Sequence, residues 1–325
     1  MGFFCAPAFF EEGWKRMLKY IFRRILSLIP VLIGVTFIVF SLLYLTPGDP
    51  ARMVLGDQAT EEAVTDFRIK EGLDDPFIVQ FARYVYKAAF KGDIGRSYVT
   101  KRPVSDEILS AFPSTIKLAA FSVIIAICLG IPFGIISAIK QYSLFDSITM
   151  FFALVGLSMP VFWLGLLLIL LFSVRLGWFP SSGFDTFSAM VLPSVALSAQ
   201  VIAIVTRMTR SSMLEVIRSD YIRTARAKGQ TEGKVIWRHA LGNALIPIVT
   251  IVGLQFGHLL GGAILTESIF SIPGVGRLMV EAIKMRDYPL VQGGVLYVAV
   301  AFSVVNLLVD LLYAFVDPRI KAQYR

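Results

Sequence analysis

The chain has 325 residues, 56% of them hydrophobic, and a formal net charge of +8 at pH 7. A soluble domain is usually about 45–50% apolar, and the excess here lies in runs of about 20 residues, long enough to cross a bilayer as helix. The runs are continuously apolar, which excludes a membrane β-barrel. The basic residues flank these runs, which argues against nucleic-acid binding. Composition therefore predicts an all-α polytopic membrane protein in contact with membrane lipid.

The first hydrophobic run covers about residues 21–45. It is too long for the apolar region of a signal peptide, and no small-residue cleavage site follows it. We assign residues 17–46 to the first transmembrane helix and residues 1–16 to an N-terminal extension, because Met17 has the character of a natural start. The basic residues before the run place the N-terminus in the cytoplasm; they are Lys15, Arg16, Lys19, Arg23 and Arg24.

Residues 47–111, here called the outer segment, are mixed in charge and are expected on the extracytoplasmic side. Asp75 and Pro76 predict the N-cap and first position of a helix, and Gly92 predicts its end. Apolar residues recur between them at helical spacing; they are Ile78, Phe81, Val85 and Ala88. The helix either lies on the membrane or the transmembrane core, or contacts an external partner.

Five more spans follow, at about residues 112–139, 147–174, 188–208, 244–268 and 290–316. We expect Pro160 to kink the third of them in its middle. Six crossings put both ends in the cytoplasm, where the N-terminus, the loop after the fourth span and the tail of residues 317–325 are all basic. The outer turn at 273–277 is either structural or a contact for an external protein.

Several polar and small side chains lie inside the last three spans. Gln200, Gln255, His258, Asn306 and Asp310 are costly in lipid, so they either bond between helices or line a substrate path. We assign Gln255, His258, Asn306 and Asp310 to the path, the last two to the path or its inner gate. A glycine repeat at 253, 257 and 261 permits close helix packing, either within this chain or against a second subunit.

The cytoplasmic loop of residues 213–243, here called the coupling loop, is too polar to enter lipid and too long for a simple turn. It predicts a short helix that ends at a glycine, followed by a second helix. Small residues on the first helix let another protein approach, and apolar anchors would enter a groove in that protein. The anchors are Ile222, Val235, Ile236 and Trp237. The other docking residues are Tyr221, Arg223, Thr224, Ala225, Ala227, Lys228 and Gly229.

The sequence of this loop, Asp220-Tyr-Ile-Arg-Thr-Ala-Arg-Ala-Lys-Gly229, resembles that of the coupling loop of ATP-binding-cassette importer permeases. It is most similar to the dipeptide/oligopeptide/nickel branch, and the resemblance covers nearly the whole chain from Met17. Other matching stretches are 46–50 (TPGDP), 92–97 (GDIGRS), 207–215 (RMTRSSMLE), 243–247 (NALIP), 270–277 (FSIPGVGR), 286–289 (RDYP) and 306–313 (NLLVDLLY). One departure is Leu241-Gly242, where the general motif has Leu-Pro.

The resemblance implies a type I ABC importer permease fold, with a five-helix core in residues 112–316, in the cytoplasmic (inner) membrane of a prokaryote. A different permease would pair with this chain as a heterodimer. Two ATP-binding subunits would dock on the coupling loop, and a solute-binding protein would deliver a peptide from outside. ATP-driven closure of the ATP-binding subunits would then switch the path by alternating access. Nickel chelates and glutathione remain alternative substrates.

No catalytic, metal or cofactor site is predicted in the chain itself. The nearest string to a P-loop, Gly229 to Val235, is one residue short and lacks the final Ser or Thr. ATP and Mg²⁺ would therefore belong to the partner subunits. Only two histidines occur, without an H-E-x-x-H pattern. A self-contained secondary transporter is the alternative from another class; it would need ion-coupling carboxylates within the spans, of which Asp310 is the main candidate.

Overall fold

The computed structural model describes residues 6–56 and 58–316, and these form fourteen α-helices. The predicted tail of residues 317–325 and the first five residues of the predicted extension lie outside that description. The first seven helices are α1 Ala6–Leu45, α2 Pro50–Leu55, α3 Glu61–Glu71, α4 Phe77–Tyr86, α5 Val104–Ile139, α6 Leu144–Ser158 and α7 Val161–Leu168. The others are α8 Phe187–Ile217, α9 Asp220–Ala227, α10 Glu232–Lys234, α11 Leu241–Gly262, α12 Ile264–Ile269, α13 Val275–Lys284 and α14 Tyr288–Val316. Short π-helical segments, Lys87–Lys91, Ile169–Arg175 and Val235–Ala240, extend α4, α7 and α10.

Among the described residues, five spans are long and apolar enough to cross a membrane, and α6 with α7 supplies a sixth as a bent pair. Counted with this pair as one span, the structure has the predicted six. The prediction of a merely kinked third span is wrong, because the axes of the two halves differ by 103°. Pro160 is the N-cap of α7, and Met159 before it is extended, as a residue preceding proline prefers. The proline thus starts a new helix.

Several helix ends differ from the edges of the hydrophobic runs. Helix α5 starts at Val104, inside the predicted outer segment, and α8 continues to Ile217, well into the coupling loop. The fifth span ends at Gly262, and the residues that follow form the separate helix α12. Hydropathy detects only the part of a helix that lies in lipid, whereas backbone hydrogen bonding continues into water when polar residues favour helix. In α5 the first turn carries Asp106 and Glu107, which favour a helix N-terminus.

Helix α5 is the axis on which the core is built. Three clusters of buried apolar side chains follow one another along it. The first contains Val104 and Ile108 together with residues of α13 and α14. The middle one contains Leu118 and Ala126 with residues of α8, α11 and α12. The last contains Ile135, together with residues of the coupling loop and α11. One helix therefore aligns both ends of the protein.

Helices α5 and α8 approach each other closely at two glycines. A Cβ on Gly130 would lie 3.0 Å from Val205 Cγ1 and 3.2 Å from the Ile202 carbonyl oxygen. A Cβ on Gly134 would lie 2.7 Å from the Thr206 carbonyl oxygen. A side chain at Gly134 would force the helices apart, because real Cβ atoms essentially never make contacts this short, and one at Gly130 would require its neighbours to shift by a few tenths of an ångström.

The glycine repeat of α11 faces α14 of the same chain. A Cβ on Gly257 would lie 3.3 Å from the ring of Phe302, and one on Gly261 would lie 3.5 Å from Val298. At Gly253 a Cβ would overlap the side chain of Val309. The interpretation of this repeat as packing within the chain is therefore confirmed, and its use against a second subunit is wrong.

The outer segment rests on the first span through aromatic rings. Phe77 and Phe81 of α4 make edge contacts with Phe37 and Phe40 of α1 at centroid distances of 5.3 to 5.7 Å. The predicted helix over the transmembrane core is thus present, and it ends at Gly92 with a φ of 62°. Its start is one residue later than predicted, since Pro76 is the N-cap. The Asp75 side chain pairs with Arg83 instead.

The glycine face of α11 makes a stability prediction. Gly253→Ala places a methyl group against Val309 and is expected to destabilise the folded permease by about 1–3 kcal/mol. Gly242→Ala is the matched control in the same helix, because nothing lies within 4 Å of its added Cβ, and alanine should instead raise helix propensity. Thermal unfolding of the purified protein in detergent measures both. Equal effects of the two substitutions, or no recovery in Gly253→Ala with Val309→Ala, would contradict this packing.

Candidate coupling and transport site

The coupling loop folds as a short helix, a glycine turn and a second helix. Helix α9 ends at Ala227, and Gly229 follows with a φ of 75°, a conformation that glycine adopts without strain. The second helix begins at Glu232. The Arg226 guanidinium donates two hydrogen bonds, of 2.8 and 3.2 Å, to the Glu232 carboxylate across the turn. The predicted helix–glycine–helix arrangement is confirmed.

Three of the predicted docking anchors pack within this chain. Ile222 and Val235 are fully buried, in a cluster with Ile135, Met213 and Ile248. Ile236 packs against the same cluster. The prediction that these three side chains enter another protein is wrong, because they fasten the coupling loop to the ends of α5, α8 and α11. Trp237 remains available, since it is 63% exposed.

The other predicted docking residues lie on the outward side of the coupling loop. Tyr221, Arg223, Thr224, Ala227, Lys228 and Gly229 are exposed, and Ala225 is half-buried against the cluster. Thr224 and Ala227 are three residues apart and therefore share one face of α9. The burial of Ile222 fixes the rotation of α9, so these small residues face away from the bundle. The result is a small-residue surface flanked by basic side chains.

A buried ion pair joins three helices beside the coupling loop. Arg210 of α8 donates hydrogen bonds of 2.7 and 2.8 Å to both carboxylate oxygens of Asp146 on α6. The same carboxylate accepts from the hydroxyl of Ser137 on α5 and from the Tyr142 backbone N–H at 3.0 Å. Sequence reasoning missed this site, because the partners are far apart in the chain. The only sequence feature that pointed to it was the position of Arg210 within 207–215, one of the stretches that resemble the permease family.

Two of the predicted path residues meet at the break in the third span. Gln255 and His258 of α11 and Gln200 of α8 line a cavity of about 40 Å³. Its other walls are apolar, and one of them is Val161, the first residue of α7. We call this cavity the polar notch. Three side chains able to donate and accept hydrogen bonds therefore face the point where the bent span changes direction.

The other two predicted path residues do not line the polar notch. Asp310 of α14 forms an ion pair with Arg24 of α1 at 2.5 Å. Asn306, one turn before it, has a buried side-chain oxygen without a hydrogen-bond partner in the described structure. The structure thus separates the predicted path residues into two pairs. The ion pair of Asp310 with Arg24 connects α14 to α1, the first span.

Two family models match the sequence of this chain. The model described as "Binding-protein-dependent transport system inner membrane component" matches residues 130–322, which include the coupling loop, the ion pair and the polar notch. A second model, for the N-terminal part of the same membrane component, matches residues 17–119. The chain belongs to this family. It is a permease component of an ABC importer, of the peptide branch, and a multi-pass membrane protein.

Relatives of this permease are similar over almost its whole length. The dipeptide transport system permease protein DppB of Alkalihalophilus pseudofirmus is 50% identical over 333 aligned positions, which cover 94% of this chain and 100% of the relative. The glutathione transport system permease protein GsiC of Escherichia coli K12 is 45% identical over 305 positions, covering 94% and 99%.

Solved structures show the same fold. A chain of the MetNI methionine ABC transporter in an inward-facing conformation superimposes with a TM-score of 0.55 at 18% identity. The match covers 65% of this permease and 96% of that chain. The predicted type I importer permease fold is therefore confirmed.

Three stretches of the permease that resemble the peptide branch come together at the end opposite the coupling loop. Buried Asp287, from 286–289, accepts hydrogen bonds from the Ser97 hydroxyl, at the end of 92–97, and from the backbone N–H of Tyr98 directly after it. Arg286 donates to the carbonyl of Pro47, in 46–50, at 3.3 Å. Burial raises the pKa of the Tyr98 phenol to about 12, aided by nearby carboxylates. These motifs are thus parts of one structural joint.

The turn at 273–277 encloses a buried carboxylate. Glu267 accepts a hydrogen bond from the Thr115 hydroxyl at 2.6 Å and from the Arg277 backbone N–H at 3.1 Å. It therefore caps the start of α13, where negative charge is favoured. Gly276 leaves room for it, since a Cβ there would lie 2.9 Å from the carboxylate. The interpretation of this segment as a structural turn is confirmed.

The ion pair beside the coupling loop makes the second prediction. Asp146→Asn leaves the Arg210 cation without its counter-charge and is expected to cost about 2–4 kcal/mol, below the value for a fully buried pair because Arg210 is partly exposed. Thermal unfolding and protease sensitivity of the coupling loop measure the loss. Arg218→Gln is the matched control, since Arg218 only contacts Gln141 at the surface. Additive losses in Asp146→Asn with Arg210→Gln would show that the two side chains do not interact.

Proposed function

We propose that this permease is one of two different membrane subunits that import di- and oligopeptides across the cytoplasmic membrane of a prokaryote. The observation that carries the substrate class is the 50% identity, over the whole of the relative, to a dipeptide permease. A solute-binding protein delivers the peptide from outside. Basic residues at both ends of the sequence support a cytoplasmic location for the N- and C-termini.

The energy for import comes from other chains. The sequence has no G-x-x-x-x-G-K-[ST] string, and this string is what cradles the phosphates of a bound nucleotide. ATP and Mg²⁺ are therefore held by two ATP-binding partner subunits, and this chain carries no cofactor. The outward side of the coupling loop is the docking surface, with Tyr221, Arg223, Thr224, Ala225, Ala227, Lys228 and Gly229 as its residues.

The contacts of α9 support a rigid connection from this surface to the bundle. Movement of a docked subunit displaces α9, which Ile222 fastens to the cluster at the ends of α5 and α8. The ion pair between Asp146 and Arg210 ties α8 to α6, the first half of the bent third span. A push on the coupling loop thus reaches the helices around the polar notch as a rigid-body movement, as alternating access requires.

Glutathione is the second candidate substrate, because permeases for glutathione are 45% identical to this chain. A self-contained secondary transporter is disfavoured by the Arg24 guanidinium, which holds the carboxylate of Asp310. Reconstitution in proteoliposomes with both permeases, the ATP-binding subunits and the binding protein distinguishes these cases. Peptide import is expected to need ATP and to stop with vanadate. Import driven by an ion gradient without ATP would reject the proposal, and exclusive import of glutathione would change its substrate.

The docking surface makes the third prediction. Ala227→Trp puts a bulky ring on the small face of α9 and is expected to lower binding-protein-stimulated ATP hydrolysis and import at least about tenfold, because the ring holds the docked subunit away. Thermal stability of the permease should stay unchanged, since Ala227 is exposed. Thr224→Ala keeps the face small and serves as the control that retains activity.

Ile222→Ala, unlike Ala227→Trp, should lower the thermal stability of the permease itself. It empties a fully buried site and is expected to cost about 2–5 kcal/mol of stability.

Full ATP hydrolysis and import in Ala227→Trp would show that α9 docks nothing at this face.

A further inference from the structure

The polar notch adjoins the start of α7, directly after the sharp break in the third span, and this break is the only one among the described spans. Gln200, Gln255 and His258 line it, and Val161 at the start of α7 forms part of its wall. Polar side chains inside a membrane span are expensive and are kept where they have partners or a task. Three of them, from two different helices, converge here on one small space. No hydrogen bond between them is formed in the described structure, so their donors and acceptors face the notch unpaired with one another.

The notch lies on the side of α11 that faces α8 and the start of α7, away from α14. Gln255 and His258 follow Gly253 by two and five positions, which places them roughly 200° and 140° around the helix axis from it. The glycine face is covered by α14, and α14 is in turn covered by α1. The notch is therefore on the opposite side of α11, and His258 at its edge is exposed. A chemical group that enters the notch therefore meets all three polar side chains.

The volume of the notch and the chemistry of its lining side chains limit which chemical groups can bind in it. A volume of about 40 Å³ is enough for one group of a few atoms, or for roughly one to three water molecules. It is too small for most amino-acid side chains. A glutamine amide carries both an acceptor and donors, so it pairs with a peptide group without requiring a charge on either. The same pairing is available to every peptide bond that carries an N–H, whatever the side chains, and only a bond to proline lacks it.

We propose that Gln200, Gln255 and His258 form a binding subsite for one backbone peptide group of the transported peptide. The subsite rests on the proposed peptide import and deepens it. It recognises what all peptides share, so the transport path accepts varied sequences while still distinguishing peptides from solutes without an amide. Gln200 joins the path on this assignment, and Asn306 and Asp310 do not belong to the subsite.

The test compares a dipeptide with its ester analogue, in which the backbone N–H is replaced by oxygen. Each is delivered to the reconstituted complex by saturating binding protein, and import and stimulated ATP hydrolysis are measured. The wild-type complex is expected to import the amide about two- to tenfold faster than the ester, the factor for one hydrogen bond. Gln255→Leu and Gln200→Leu keep the side-chain size and should bring the amide-to-ester ratio close to one. Leu254→Ala, the neighbouring position outside the notch, should keep the wild-type ratio.

A labelling experiment decides the question if the leucine variants fail to assemble. Gln255→Cys is introduced after Cys5 and Cys128 are replaced by serine, and the rate of thiol modification is measured with and without the peptide-loaded binding protein during ATP turnover. Peptide should slow labelling at position 255 and leave Leu254→Cys unaffected. Equal labelling with and without peptide, or an unchanged amide-to-ester ratio in both leucine variants of a peptide-importing complex, would overturn the subsite while the proposed function stands. A wild-type complex that imports no peptide would reject both.

Discussion

The close contact of α5 with α8 at Gly130 and Gly134 is the constraint on which the rest of this permease depends. Inside lipid, apolar side chains gain little by leaving one apolar surface for another, so helix association relies on close backbone approach. The two glycines let the axes come together where a Cβ would be tight against Val205 at Gly130 and would overlap Thr209 and the Thr206 carbonyl at Gly134. Because α5 carries all three core clusters, this contact sets the position of the outer joint, the middle of the bundle and the coupling loop at once.

Buried carboxylates fix the two ends of that frame. At the coupling end Asp146 joins α5, α6 and α8 through Ser137 and Arg210. At the other end Asp287 holds 92–97 against the start of α14, and Glu267 caps α13. Each carboxylate has its hydrogen-bond acceptors satisfied by named donors, which is the condition under which burial of such a group is tolerated. Loops at both ends are therefore rigid parts of the bundle.

The two sides of helix α11 have different roles, one in packing and one in the proposed transport path. Its glycine side is used up by packing on α14, and its glutamine and histidine side faces the break between α6 and α7. The same helix continues α10 through the π-helical segment Val235–Ala240 without a break, so a displacement of α10 is passed on to it directly. The cluster that buries Ile222 thus joins the helix of the proposed docking surface to α8 and α11, which carry the proposed peptide subsite.

The sequence by itself determined the membrane class, the six crossings, the helix–glycine–helix form of the coupling loop and the family. These follow from features local in the chain, such as apolar runs, a glycine after a short helix, and matched stretches. Only the tertiary structure decided that Pro160 breaks its span, that Ile222 and Val235 face inward, that the glycine repeat packs on α14 and that Asp310 pairs with Arg24. Each of these depends on which distant segment lies opposite a residue. A local pattern shows that a side chain is apolar, small or charged, but the identity of its neighbour comes from packing between helices.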